Sequence, residues 1–329
     1  MSKNIIVCCD GTGNEYGKNN TNVVHAYDLA NKDDNQIVFY DPGVGTGGWE
    51  YNEDTGGLNA KSDSATGYGM QKNVDDAYRF LMKRYEPDDK VYLFGFSRGA
   101  FTARSLGGML YKVGLLGPDD ENLVDYAGKI YNTSEKDDKD IGKIAAGFKK
   151  TFSQPCPVHF IGVWDTVDSR ILNANKKFAD GTLNPEISYG YHAISIDERR
   201  KDFPVSLWTE TPTEGQVIEQ VWFAGVHSDV GGWYDERGLS NIALTWILKK
   251  ARAQGMAFDE TKLSTQFRGN PSDKIHESYS GFWKFRRSRR RKIPDGAHIH
   301  ESVKARIDDP RNNYKPRNLP NNPTYVDGR

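Results

Sequence analysis

The stretch Lys90-Val-Tyr-Leu-Phe-Gly95-Phe-Ser97-Arg-Gly99-Ala-Phe-Thr-Ala-Arg-Ser-Leu106 constrains the architecture of this chain more than any other. An apolar run meets a serine bracketed by two glycines and continues into a helix-forming segment. This is the layout of a nucleophile elbow, in which a serine sits on a tight strand-to-helix turn. Residues two before and two after such a turn must lack bulk if strand and helix are to approach. The helix that follows directs its N-terminal N–H groups at the serine, where they stabilise negative charge. In a chain with 33 glycines the bare G-x-S-x-G pattern has little weight. Its setting between strand and helix supplies that weight.

The rest of the chain alternates in the same way. Residues 4–9 form a continuous apolar run ending in Asp10-Gly11-Thr12-Gly13-Asn14, and continuous apolarity suits a strand covered on both faces. A helix is expected over 20–30, a strand over 36–40 ending at Asp41, a polar surface loop over 49–66, and helices over 67–85 and 99–114. This β-α-β-α-β-α order predicts the α/β class, an α/β-hydrolase-like doubly wound, mostly parallel sheet with helical and loop insertions. One insertion, about 118–153, is charged and helical. A strand over 155–164 then ends at Asp165. A second insertion, about 169–215, reads as irregular with a short helix near 189–199. The last strand, 216–226, ends at His227, and a helix follows over 239–251. From about 308 a Pro- and Asn-rich tail is expected to lie extended over the surface. With no internal repeat or linker, residues 1–329 are expected to form a single domain with these insertions.

A formal net charge of −1 gives no global field that would point to nucleic acid, and no nucleic-acid partner is expected. Cys8, Cys9 and Cys156 are too few and wrongly placed for a disulfide framework, which favours folding in a reducing compartment. The N-terminus enters a strand directly, and no run reaches the roughly 18 apolar residues of a membrane span. A cytoplasmic location is expected, or export by a non-classical route. One local exception to the charge balance is 284–292, with seven cations in nine positions beside Phe282 and Trp283. Such a cluster is a solvated loop or a docking surface for an anionic membrane.

In open α/β sheets ligands bind at the carboxyl ends of the strands. The residues expected there are Asp10, Asp41, Ser97, Asp165 and His227. A serine needs a base to take its proton, and the base needs a carboxylate to fix its tautomer. The expected roles are therefore Ser97 as nucleophile, His227 as general base and acid, and Asp165 as orienting acid. His300 competes with His227, and Asp168 and Asp229 compete with Asp165. The oxyanion requires backbone donors, expected from Arg98 and from Gly11 and Thr12 in the glycine-rich loop. Arg98 and Arg104 are expected to bind an anionic head group or to pair with Asp10. A second chemistry, phosphoester hydrolysis by an aspartyl nucleophile or a metal, would use Asp10, Asp41, Asp165 and Asp229. Against it, Cys8 stands where such phosphatases carry their first aspartate. A third reading is a catalytically silent membrane- or partner-binding protein, with the basic-aromatic loop as its interface. No cofactor or metal is expected.

Six blocks together are far more specific than the elbow alone: Cys9-Asp-Gly-Thr-Gly-Asn14, Gly95-Phe-Ser-Arg-Gly-Ala100, Gly162-Val-Trp-Asp-Thr-Val167, Asp197-Glu-Arg-Arg200, Val221-Trp-Phe-Ala-Gly-Val-His-Ser-Asp-Val-Gly-Gly232 and His300-Glu-Ser-Val303. With them the chain resembles the DUF2235 group of α/β-hydrolases, which includes the catalytic domain of the Tle1-type phospholipase effectors of type VI secretion. The resemblance implies a serine esterase, in its best-known branch a phospholipase A acting on glycerophospholipids, with a lipid or other ester as substrate.

Overall fold

The apolar runs become the strands of a sheet that the helices cover on both faces. The structure is a computed structural model that describes residues 2–11, 14, 16–43, 49–52, 57–60, 67–167, 182–280 and 287–327. In chain order its elements are β1 (Asn4–Cys9), α1 (Asn22–Leu29), β2 (Gln36–Asp41), β3 (Trp49–Asn52), β4 (Gly57–Ala60), α2 (Gly67–Arg84), β5 (Lys90–Phe96), α3 (Arg98–Val113) and β6 (Leu115–Leu116). There follow α4 (Val124–Asn132), α5 (Ile141–Phe152), β7 (Ser153–Gln154), β8 (Val158–Trp164), β9 (Ile187–Ser195), β10 (Val217–Phe223) and α6 (His227–Gly231). The chain ends through α7 (Gly238–Ala253), α8 (Glu260–Gln266), β11 (His298–His300), α9 (Glu301–Asp308) and β12 (Thr324–Val326).

Eight of these strands form the main sheet in the order β12-β11-β10-β9-β8-β5-β1-β2. Every neighbouring pair is parallel. Alternate residues of β1 feed opposite cores. Ile5, Val7 and Cys9 pack with α2 to α5, whereas Ile6 and Cys8 pack with α1, α7 and α8. A third cluster, including Ile194, Trp222, Ile299 and Val303, seals the β11 end. Cys8, Cys9 and Cys156 are buried free thiols. Among the described residues no helix is long and apolar enough to cross a membrane.

From β1 the chain steps outward to β2 and then returns to the other side of β1 to form β5. Strand order therefore reverses between β1 and β5, a switch point of the kind at which such sheets form a ligand crevice beyond the carboxyl ends of the strands. Asp10 and Ser97 stand on its two sides.

Three expectations are corrected. Part of the 49–66 loop is an antiparallel pair, β3 with β4. The insertion read as irregular contains β9, an interior strand between β8 and β10, in place of a helix near 189–199. Its sequence, Ile187-Ser-Tyr-Gly-Tyr-His-Ala-Ile-Ser195, hid it because an interior strand shows no alternation and this one carries polar residues with internal partners. His192, for instance, is fully buried and accepts the Thr166 N–H through Nε2 at 3.1 Å. Finally, β11 and β12 extend the sheet beyond β10, and the tail contributes the edge strand. At three residues each they are too short to show a period.

Among the described glycines the closest approach to another stretch of backbone is where α3 crosses β1. A Cβ on Gly99 would stand 2.2 Å from the Cys9 carbonyl oxygen and 2.3 Å from that of Asp10, both backbone atoms. Gly99→Ala is expected to destabilise the fold by at least about 1–3 kcal/mol, read as a lower urea midpoint. Gly147 in α5 meets nothing within 4 Å. Gly147→Ala is expected to stabilise by about 0.4–1 kcal/mol, so equal effects of the two changes would contradict this packing.

Candidate active site

Ser97 sits between β5 and α3 with φ 58° and ψ −121°, a conformation that L residues seldom adopt and that places its hydroxyl at the end of the sheet. A Cβ on Gly95 would lie 2.5 Å from the Gly99 carbonyl oxygen, so the elbow closes only with glycine at both positions. The Ser97 N–H donates to the Trp164 carbonyl at 3.1 Å, tying the turn to β8.

Asp165 follows β8, with φ 42°, and its N–H donates to the Ala193 carbonyl at 2.8 Å. That turn lays the carboxylate across the end of β9, where Oδ1 accepts the Ser195 N–H at 2.8 Å and Oδ2 the Ser195 hydroxyl at 3.2 Å. His227 follows β10 and opens α6. Its ring lies between those of Phe96 and Phe203, with centroids at 4.6 and 5.1 Å.

The three side chains meet. His227 Nε2 is 2.9 Å from Ser97 Oγ, and His227 Nδ1 is 2.5 Å from Asp165 Oδ2. A carboxylate at Nδ1 selects the tautomer that keeps the proton there and leaves Nε2 to accept from the serine. Burial lowers the imidazole pKa below 6.5, partly offset by the hydrogen bond to Asp165. For Asp165, burial alone would raise the pKa. The Arg291 guanidinium and the His227 contact outweigh it and hold the carboxyl well below the usual carboxylate range.

Arg291 is the group that the sequence did not mark. It was read as one of the exposed cations of 284–292, yet it is buried, 7% exposed, against Asp165. Its Nη1 donates to Asp165 Oδ1 at 2.5 Å and its Nη2 to Oδ2 at 3.0 Å. The ribbon that carries it runs antiparallel to 199–201. The Lys201 N–H donates to the Arg287 carbonyl at 3.1 Å, and the Arg289 N–H to the Arg199 carbonyl at 2.8 Å. Arg287, Arg289, Arg290 and Lys292 are exposed on this ribbon, whereas Arg291 and Ile293 turn inward. The only trace in the sequence is this inward pair at a spacing of two. Phe282, Trp283 and positions 284–286 lie outside the described residues.

The rival residues have other partners. His300 caps α9, its Nδ1 accepting the Ser302 N–H at 3.1 Å, and it stacks on Phe223 at 4.6 Å. Asp229 accepts the Val226 N–H at 2.9 Å and contacts His276 Nδ1 at 2.6 Å. Asp168 lies outside the described residues.

On the oxyanion side, Arg98 occupies the first position of α3, where helix N–H groups lack intrahelical acceptors. Gly11 lies against the nucleophile, since a Cβ on it would be 3.3 Å from Ser97 Cβ. Its N–H donates to Asp10 Oδ1 at 2.7 Å. Thr12 lies outside the described residues. Asp10 also accepts the Thr21 hydroxyl at 2.8 Å and the Tyr40 hydroxyl at 2.9 Å, and burial lifts its pKa to about 6. Arg104 does not reach toward the crevice as a head-group ligand. It is buried, donating to the Ser206 carbonyl at 2.5 Å beneath Trp208. Burial pushes the Arg98 guanidinium down to about 10. Among the described residues no three His, Cys, Asp or Glu side chains converge as a metal set.

This chain matches the family model described as "T6SS, Phospholipase effector Tle1-like, catalytic domain" over residues 3–250. An uncharacterized protein of Saccharomyces cerevisiae is 37% identical over 226 residues, which are 64% of this chain and 33% of that one, so the chain spans a third of that relative's length. Among solved structures, an uncharacterized protein from Pseudomonas aeruginosa is 17% identical over 82% of this chain and 49% of that chain, with a TM-score of 0.44. The Tle1 effector bound to the VgrG spike from the Type 6 secretion system is 18% identical over 72% and 52%, also with a TM-score of 0.44. With three quarters of its length matched by the model, the chain belongs to the family of Tle1-like phospholipase-effector catalytic domains.

Proposed function

We propose that the protein is a serine carboxyl-ester hydrolase of the lipase or phospholipase A type, in which Ser97, His227 and Asp165 form the catalytic triad. The observation that carries this reading is the continuous contact from Ser97 Oγ to His227 Nε2 and from His227 Nδ1 to Asp165 Oδ2 at a strained elbow. In the first half-reaction Ser97 Oγ attacks the ester carbonyl carbon and His227 Nε2 takes the hydroxyl proton. The carbonyl oxygen becomes an oxyanion, held by the Arg98 N–H and by the 11–14 loop, in which Thr12 supplies the second donor. Collapse expels the alcohol, which leaves with the proton from Nε2. Water then gives a proton to His227 Nε2 and attacks the acyl-serine; collapse breaks the bond to Ser97 Oγ, which takes that proton back from Nε2 as the acid is released. Asp165 stays ionised throughout and stabilises the imidazolium.

The exposed cations Arg287, Arg289, Arg290 and Lys292 give this site a docking face for an anionic membrane, each contributing about 1 kcal/mol at such a surface. They lie on the ribbon that also carries Arg291, so docking there would bring the lipid plane beside the crevice. The three free thiols fit a protein that folds in a reducing compartment.

Three measurements test this reading. Ser97→Ala is expected to lower turnover of a short-chain ester by about 10⁴-fold or more and to abolish fluorophosphonate labelling while the protein stays folded. Undiminished turnover would sink the assignment. The acid limb of kcat/KM is expected below pH 6.5. Burial holds the His227 pKa under that value, and activity falls only as the pH drops through it and the imidazole becomes protonated. An acid limb centred above neutrality would speak against His227 as base. Finally, sedimentation with phosphatidylcholine–phosphatidylglycerol vesicles is expected to retain the protein at low salt and to release the triple variant Arg287→Glu, Arg289→Glu, Arg290→Glu. Equal binding of both proteins would remove the ribbon from membrane docking.

A further inference from the structure

We propose that Arg291 is a positioning residue of the hydrolytic centre: its guanidinium fork fixes the rotation of the Asp165 carboxylate and, through it, the His227 ring against Ser97. This rests on the serine-hydrolase reading above. Arg291 touches no reacting atom, so its effect has to pass through Asp165.

The geometry sets the role apart from simple burial of a charge. The fork spans both carboxylate oxygens, Nη1 to Oδ1 at 2.5 Å and Nη2 to Oδ2 at 3.0 Å. Oδ2 is also the oxygen that meets His227 Nδ1. A rotation of the carboxylate that breaks the histidine contact must therefore break the arginine contacts as well. The same guanidinium reaches the Ser195 hydroxyl at 2.7 Å, the Ser195 carbonyl at 3.1 Å and the Phe203 carbonyl at 2.9 Å. Ser195 donates to Asp165, and the Phe203 ring walls the imidazole, so one cation joins the acid, its other donor and the wall of the base. A point charge cannot hold so many planar acceptors at once, whereas a guanidinium can.

The charge also acts on the base. The charged groups facing His227 are Asp165, Glu198 and Arg200; Arg291 shares the Asp165 Oδ2 oxygen with it, and His192 and Arg104 lie behind the Asp165 turn. Arg291 opposes an imidazolium beside it, so its removal favours protonation of His227.

The experiment compares wild type, Arg291→Met and Arg291→Lys in the full chain. One arm measures kcat and KM on a soluble p-nitrophenyl ester, and the other follows the His227 titration by NMR with isotope-labelled histidine. In Arg291→Met, kcat is expected to fall on the order of 100-fold with KM within about threefold, a smaller loss than the roughly 10⁴-fold that follows removal of the orienting acid itself. Its His227 titration is expected to move to higher pH. Arg291→Lys keeps the charge and is expected to titrate near wild type while losing about tenfold in kcat, because the fork is gone. A folded Arg291→Met with wild-type kcat and an unmoved His227 titration would overturn the proposal. If the Met variant does not fold, wild-type kcat in Arg291→Lys overturns it. If wild type itself turns over no ester and Ser97 takes no fluorophosphonate, the hydrolase reading fails. The His227 titration then still decides whether Arg291 governs the dyad.

Discussion

An ionised carboxylate with no exposure to solvent sits at the end of β8, and the crevice is built around keeping it charged. Burial of such a group costs several kcal/mol unless every lone pair is met. Asp165 meets that demand with one imidazole, one guanidinium, one backbone N–H and one hydroxyl, drawn from three separate parts of the chain: His227, Arg291 and Ser195. The strands and the ribbon that supply those donors are held in register by the sheet and by the backbone bonds at 199–201. Loss of one partner from a buried pair typically costs about 3–5 kcal/mol, so the site and the fold share the same contacts.

Asp10 shows what the same position becomes without a cation. It too follows a buried parallel strand and is almost fully buried, but its donors are neutral: an amide and two hydroxyls. Burial wins there and lifts it to about 6. Two carboxyls on the two sides of Ser97 are thus shifted in opposite directions by their partners, Asp10 upward and Asp165 downward. The glycine loop has a related division of labour. Gly11 lets the backbone pass beside Ser97 while its amide is used to hold Asp10.

Ser97, Asp165 and His227 were legible because each ends an apolar run that reads as a strand, and chemistry at strand ends is a general property of parallel sheets. The glycines at 95 and 99 were legible for the same local reason. Strand β9 was not, because its polar residues have partners far away in sequence: His192 with Thr166, and Ser195 with Asp165 and Arg291. Arg291 was hidden by its own neighbourhood. Among so many cations its side chain differs only in facing inward, and the inward turn at 291 and 293, just past the bonds to 199–201, is a tertiary fact.

The family model ends at residue 250, forty-one positions before Arg291. The three proposed triad residues therefore lie within the matched part, whereas the cation that compensates their acid arrives from beyond it. A chain shortened to the matched part would retain Ser97, His227 and Asp165 and lose Arg291, β11 and the edge strand β12. Its Asp165 would keep Ser195 and His227 as partners and lose the guanidinium fork that fixes its rotation. The segment after α8 is thus coupled to the chemistry by electrostatics, and the same segment exposes Arg287, Arg289, Arg290 and Lys292 to solvent. One short ribbon thus carries both the guanidinium that clamps the acid and the cations that face outward.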